Sequence, residues 1–143
     1  MRKLPFIILL VLLFVQPILA DSVIKEYRGV FIGTEREQVH SKFGKPKSEF
    51  DGEDNFEFSQ NETVRVFYDD GKKVKAIVVT YSGKIDAAPK PNDVVGGPVE
   101  ARPDGGMYKM VRFEDKGFWV SYVKVAGDNP TVIITVQSMA KGS

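Results

Sequence analysis

Few side chains in this 143-residue chain are equipped for catalysis or for holding a transition metal. His40 is the single histidine, and there is no cysteine. Ser-His-Asp chemistry needs a histidine held between a nucleophile and an orienting carboxylate. Ser41 is the sequence neighbour of His40, and adjacent helical residues point in different directions. No motif supplies either partner, so His40 reads as a partly exposed helix residue. One histidine without cysteine argues against zinc. The acidic runs Asp51-Gly52-Glu53-Asp54-Asn55 and Asp69-Asp70 lack the ligand spacing of an EF-hand loop. Gly96-Gly97 and Gly105-Gly106 lack the strand, helix and lysine of a phosphate loop. The 19 acidic residues include no pair that spacing singles out for glycoside hydrolysis. Asn61-Glu62-Thr63 matches a glycosylation acceptor, which matters only in a eukaryotic secretory pathway. The expectation is a chain that is not an enzyme, with no metal and no cofactor.

The N-terminal segment bears on compartment. Met1-Arg2-Lys3 is basic, Phe6 to Val15 is apolar without interruption, and Gln16-Pro17 breaks the run before Ala20. This is the layout of a secretory signal peptide, residues 1–20. A spanning helix needs about 20 apolar residues, twice the length of this stretch. The chain is therefore expected to be exported, periplasmic or secreted, touching the membrane only transiently during export. Removing 20 of 143 residues leaves 123, the size of one domain, 21–143. Without Arg2 and Lys3, 18 basic residues face 19 acidic ones. That near-neutral balance gives no long-range attraction to nucleic acid. Without cysteine the domain has no disulfides and no lipid anchor, and its core alone must hold it.

The patterning after Asp21 predicts an α+β fold: a short helix packed on an antiparallel sheet of about six strands. Thr34 and Glu37 have capping-box spacing. Val39 and Phe43 share a helical face, Gly44 offers a left-handed stop and Pro46 blocks continuation. A helix is expected over 34–43. Phe56 to Phe58, Val64 to Tyr68 and Val74 to Tyr81 read as a meander, with Asp69 to Lys72 as a tight turn. Ser82 to Asp93, with Pro89 and Pro91, reads as a loop. Met107 to Glu114, Gly117 to Val125 and Thr131 to Gln137 read as three more strands. Phe43-Gly44-Lys45-Pro46 matches Val95-Gly96-Gly97-Pro98 at an offset of 52. The same offset carries Phe56 onto Tyr108 and Phe67 onto Trp119. Two degenerate half-repeats follow, about 29–82 and 92–138. Pro89 and Pro91 leave no clear helix in the second.

The stretch Gly29-Val30-Phe31-Ile32-Gly33-Thr34-Glu35-Arg36-Glu37-Gln38-Val39-His40-Ser41-Lys42-Phe43-Gly44-Lys45-Pro46 resembles the opening signature of the SmpA/OmlA family, which includes BamE. The tandem arrangement resembles the β-lactamase inhibitor protein (BLIP) family. The resemblance implies two helix-plus-sheet repeats in one curved sheet whose face is offered to another protein. This chain differs from both in having no cysteine, and so no lipid anchor and no disulfide.

Strand alternation sends one set of side chains inward and one outward. The more apolar sets should meet the helix. The other face then carries Arg65, Phe67, Trp119, Ser121, Ile133 and Thr135. Trp, Phe and Arg beside hydroxyls have the composition of a protein-binding hot spot. A second layer, such as the loop Ser82 to Asp93, would cover that face instead. The expected function is an exported, non-catalytic module binding an unidentified protein partner through this face and the turns Phe50 to Asn55 and Asp69 to Lys72. A small-ligand or lipid carrier of the periplasm is the alternative. N-terminal sequencing of the exported chain checks the leader: the first residue should be Asp21.

Overall fold

A computed structural model describes residues 24–140; the expected signal segment lies outside them. The frame is a seven-stranded antiparallel sheet. Its strands are β3 (Ser48–Phe50), β4 (Glu53–Ser59), β5 (Glu62–Tyr68), β6 (Val74–Ser82), β7 (Met107–Phe113), β8 (Phe118–Val125) and β9 (Thr131–Ser138). They lie in the order β3-β4-β5-β6-β9-β8-β7. All six expected stretches pair within it. A separate hairpin of β1 (Glu26–Tyr27) and β2 (Val30–Phe31) precedes them.

The α+β expectation is corrected. Strands take 48% of the structure and helix 11%, which makes the molecule mostly β. The two helices among the described residues, α1 (Arg36–Phe43) and α2 (Pro91–Val95), have eight and five residues. Neither is long enough to form a helical layer against seven strands, and isolated helices of that length are marginal in water.

The start of α1 differs from the expected capping box. The Thr34 hydroxyl accepts from the Phe31 amide at 3.1 Å, and Glu35 is the N-cap without a side-chain bond. The cause is tertiary pairing. Gly33 donates to the Val74 carbonyl, Val74 donates to the Thr34 carbonyl and Arg36 donates to the Lys72 carbonyl. These bonds hold Thr34 and Glu35 extended along the chain entering β6, so the helix begins two residues later. The helix stops at Gly44 as expected, but the glycine turns extended at ψ −161° instead of adopting the left-handed helical conformation. Gly44 has φ 83° and its amide bonds to the His40 carbonyl, a conformation that a Cβ would strain.

The second helix corrects the loop expected over Ser82 to Asp93. Pro91 is the first helical residue of α2 and Gly96 (φ 71°) is its C-cap. Proline belongs there, because the first-turn amide has no intrahelical partner to lose. The offset of 52 thus aligns the two helix ends, Phe43-Gly44 and Val95-Gly96. It does not align the strands: Phe56 is buried against the helices, whereas Tyr108 is exposed on the opposite face. The first half runs hairpin, helix and four strands, β3 to β6, the second runs helix and three strands, β7 to β9, and their last strands, β6 and β9, pair at the centre.

One sheet face holds the core. Val64, Val66, Ile77, Val79, Val120 and Ile134 are all buried, together with Val39 of α1 and Val94 of α2. The segment after β6 crosses the same side, where Ile85, Ala88 and Val99 pack on the core. Val39 is fully buried, which contributes roughly 1.5–3 kcal/mol. Ile77 sits on the central strand with 1% exposure. Ile77→Ala should cost about 2–5 kcal/mol, measured by urea denaturation, while Ile133→Ala on the other face should cost clearly less.

Candidate functional site

Directly paired residues in a sheet share a face, so the register maps the side opposite the helices. One row runs Phe50, Glu53, Phe67, Ala76, Gln137, Trp119, Arg112. The next runs Asn55, Arg65, Val78, Thr135, Ser121, Met110, and a third Thr63, Thr80, Ile133, Val123, Tyr108. Arg65, Phe67, Trp119, Ser121, Ile133 and Thr135 therefore lie on one face. Arg65 is exposed, Ser121 is buried among its neighbours, and the other four are half-buried.

The two helices pack on the reverse side, through Val39, Val94 and Val95. The segment Ser82 to Asp93 lies there too: Ile85, Ala88 and Pro91 share a cleft with Tyr122 and Val132 of the core face. It does not cover the Trp119 face. The large apolar side chains exposed among the described residues are Phe31, Phe50, Tyr108, Met110 and Val125. All except Phe31 stand on the uncovered face. Its charges are tied down: Arg65 donates to Glu53 at 2.8 Å and its guanidinium lies 5.0 Å from the Phe67 ring centre. An open cleft of about 590 Å³ runs past Phe67, Val78 and Gln137 to Met139.

The turns Phe50 to Asn55 and Asp69 to Lys72 meet at the end of this face. Tyr68 donates to the Gly52 carbonyl, and Asp51, Glu53, Asp70 and Lys72 line a shared polar cleft with Arg36.

Next to that cleft is a cluster that sequence reasoning missed. Asp54 of β4 is fully buried. Its Oδ1 receives the Arg36 guanidinium at 2.5 Å and its Oδ2 receives Arg36 Nε at 3.1 Å. Tyr68 donates its hydroxyl to Oδ2 at 2.8 Å and His40 Nε2 lies 2.7 Å from the same oxygen. Burial pushes the Asp54 carboxyl up, and the bonds from Arg36, His40 and Tyr68 outweigh it, so its pKa falls below the ordinary 3.8. Burial and the Asp54 carboxylate push the Tyr68 hydroxyl up, so Tyr68 stays a donor.

The expectation for His40 is corrected in part: it is half-exposed, but it has a carboxylate partner. His40, Glu49 and Asp54 bring ligand atoms within 4.8 Å of one another. Arg36 bonds to both Asp54 oxygens. Among the described residues no hydroxyl or thiol bonds to His40 as a nucleophile would. The cluster is an ion-pair lock joining α1 to β4 and β5. A second lock joins the hairpin to β5, where Tyr27 and Arg28 both donate to Glu62.

No protein-family model matches the chain, and no curated protein matches it. A crystal structure of a DUF4309 family protein (YjgB) from Bacillus subtilis is similar, with a TM-score of 0.47 and 11% identity. The match covers 78% of this chain and 83% of that one.

Removing the Asp54 charge leaves Arg36 without its buried partner. Asp54→Asn should destabilise by about 3–5 kcal/mol. Because the folded pKa is lowered, the Asp54 contribution is complete above pH 3.8 and fades as pH falls below it. Urea midpoints measured down through that range should show a smaller acid loss in Asp54→Asn than in wild type.

Proposed function

We propose that this chain is an exported, non-catalytic protein-binding module that presents the uncovered sheet face to a protein partner. One observation carries the reading: four of the five large apolar side chains exposed among the described residues lie on the face that neither helix covers. Phe50 stands at one edge of it, Tyr108 and Met110 at the other and Val125 at the end of β8, with half-buried Phe67, Trp119 and Ile133 between the edges. Apolar area left open to solvent across a sheet face marks an interaction surface. Trp119 and Phe67 act as anchors, and Arg65 supplies directional bonds. The resemblance of residues 29–46 to the SmpA/OmlA opening supports use of a sheet face in this way. The charges on the face are few and Arg65 is paired with Glu53, which suits a protein surface better than a polyanion. Export rests on the N-terminal pattern.

The partner is an envelope or secreted protein captured by the folded domain. Trp119→Ala should weaken that capture by about 2 kcal/mol, roughly thirtyfold, with an unchanged unfolding midpoint. If the substitution unfolds the domain while Phe67→Ala leaves capture intact, the face is a structural surface and the reading fails.

A further inference from the structure

The edge strand β7 departs from the rest of the sheet. Five of its seven side chains are apolar (Met107, Tyr108, Met110, Val111 and Phe113) and none is buried. Every other main-sheet strand of seven or more residues buries at least two. β7 pairs only with β8, in an unbroken register without a bulge. The opposite edge is blunted: β3 has three residues and lies beside a bulged β4. An edge strand presents a row of unpaired amides and carbonyls. Ala101 bridges Met107, so the open edge runs from Tyr108 to Phe113.

We infer that β7 is the contact strand of a symmetric homodimer, in which a second copy of this chain adds its own β7 antiparallel to the first. This goes beyond binding through the Trp119 face: it uses the backbone edge of the sheet, where Tyr108 and Met110 form the border of that face. β3 is too short to receive β7, so a closed two-fold pair forms rather than a head-to-tail filament.

The register follows from face parity and charge. A two-fold axis normal to the sheet keeps both open faces on one side, so only residues of the same face can stand opposite each other. Centring the axis on Lys109 or on Arg112 sets like charges against each other, which is destabilising. Centring it on Val111 sets Lys109 against Phe113. That ring already stacks on Phe118 at 5.0 Å and has the Lys116 ammonium at 5.9 Å. Centring it on Met110 sets Arg112 against the exposed Tyr108 ring, Lys109 against Val111 and Met110 against its own copy, and the pairing spans Tyr108 to Arg112, ending before Met107, whose edge Ala101 holds. The guanidinium then stacks on a free aromatic face. Its existing contact with Glu114 is a surface pair at 3.3 Å, which costs little to give up.

Sedimentation velocity of the exported chain, from micromolar to sub-millimolar concentration, tests the pairing. Wild type should approach a dimer. Met110→Lys and Met110→Glu, each alone, should raise the dissociation constant about tenfold or more. An equal mixture of the two should dimerise again, because Lys and Glu then meet at the axis. Circular dichroism confirms that both variants fold. A wild type that stays monomeric throughout overturns the inference. So does a dimer that survives Met110→Lys, or a mixture that fails to reassociate. Trp119→Ala is read by partner capture, so failure of the face and failure of the edge are separable.

Discussion

The pairing of β6 with β9 is the contact on which the rest depends. The first half of the chain adds a helix and four strands and the second a helix and three, each with one apolar side. Neither half has enough core to stand alone, because small domains bury too small a fraction of their surface. Joining the last strands back to back sets Ile77 beside Val136, Val79 beside Ile134 and Tyr81 beside Val132. Those pairs fuse two narrow apolar strips into one floor. The helices then need only one or two buried side chains each, such as Val39 and Val94, to seal it. This explains how helices of eight and five residues persist: the sheet supplies their stability, not their own propensity.

A sheet roofed on one side leaves the other to be accounted for. Short helices and a crossing loop use up the core face, and the remaining side carries aromatics, hydroxyls and a few paired charges. Thr80, Thr135 and Gln137 keep that side compatible with water, while Trp119, Phe67 and Ile133 give it apolar area. The same economy leaves β7 incompletely packed, because α2 is one turn long and reaches only part of it. The uncovered face and the uncovered edge therefore have one origin, too little helix for seven strands.

The Asp54 cluster shows how the chain holds its first helix without a side-chain cap. A fully buried carboxylate is costly to desolvate, and here four donor contacts offset that cost. Arg36 and His40 come from one face of α1, and Tyr68 comes from β5. The carboxylate therefore fixes the rotation of the helix about its axis as well as its distance from the sheet. The hairpin is tied by the same device, with Glu62 receiving Tyr27 and Arg28.

The sequence by itself determined the six longer strands (though not β1, β2 or β3), the glycine stop of α1, and the sharing of a face by Arg65, Phe67, Trp119, Ser121, Ile133 and Thr135. All of these are local: alternation with period two decides a face wherever a strand forms, and Gly44 tolerates a backbone that other residues resist. It misjudged the balance of helix and strand, because periodicity finds elements without weighing how much of the fold they make. It placed the start of α1 at Thr34, where the spacing is right but pairing with Val74 overrides it. It treated Pro91 as a breaker, although the same residue opens a helix when it stands first. The Asp54 cluster left one trace in the sequence: Asp54 is two residues before Phe56 and so shares its inward face. Only the tertiary structure could say whether that inward acid would find Arg36, His40 and Tyr68, since its partners lie 14 to 18 residues away on other elements. Long-range pairing decides which polar groups a core can bury, and no local pattern encodes it.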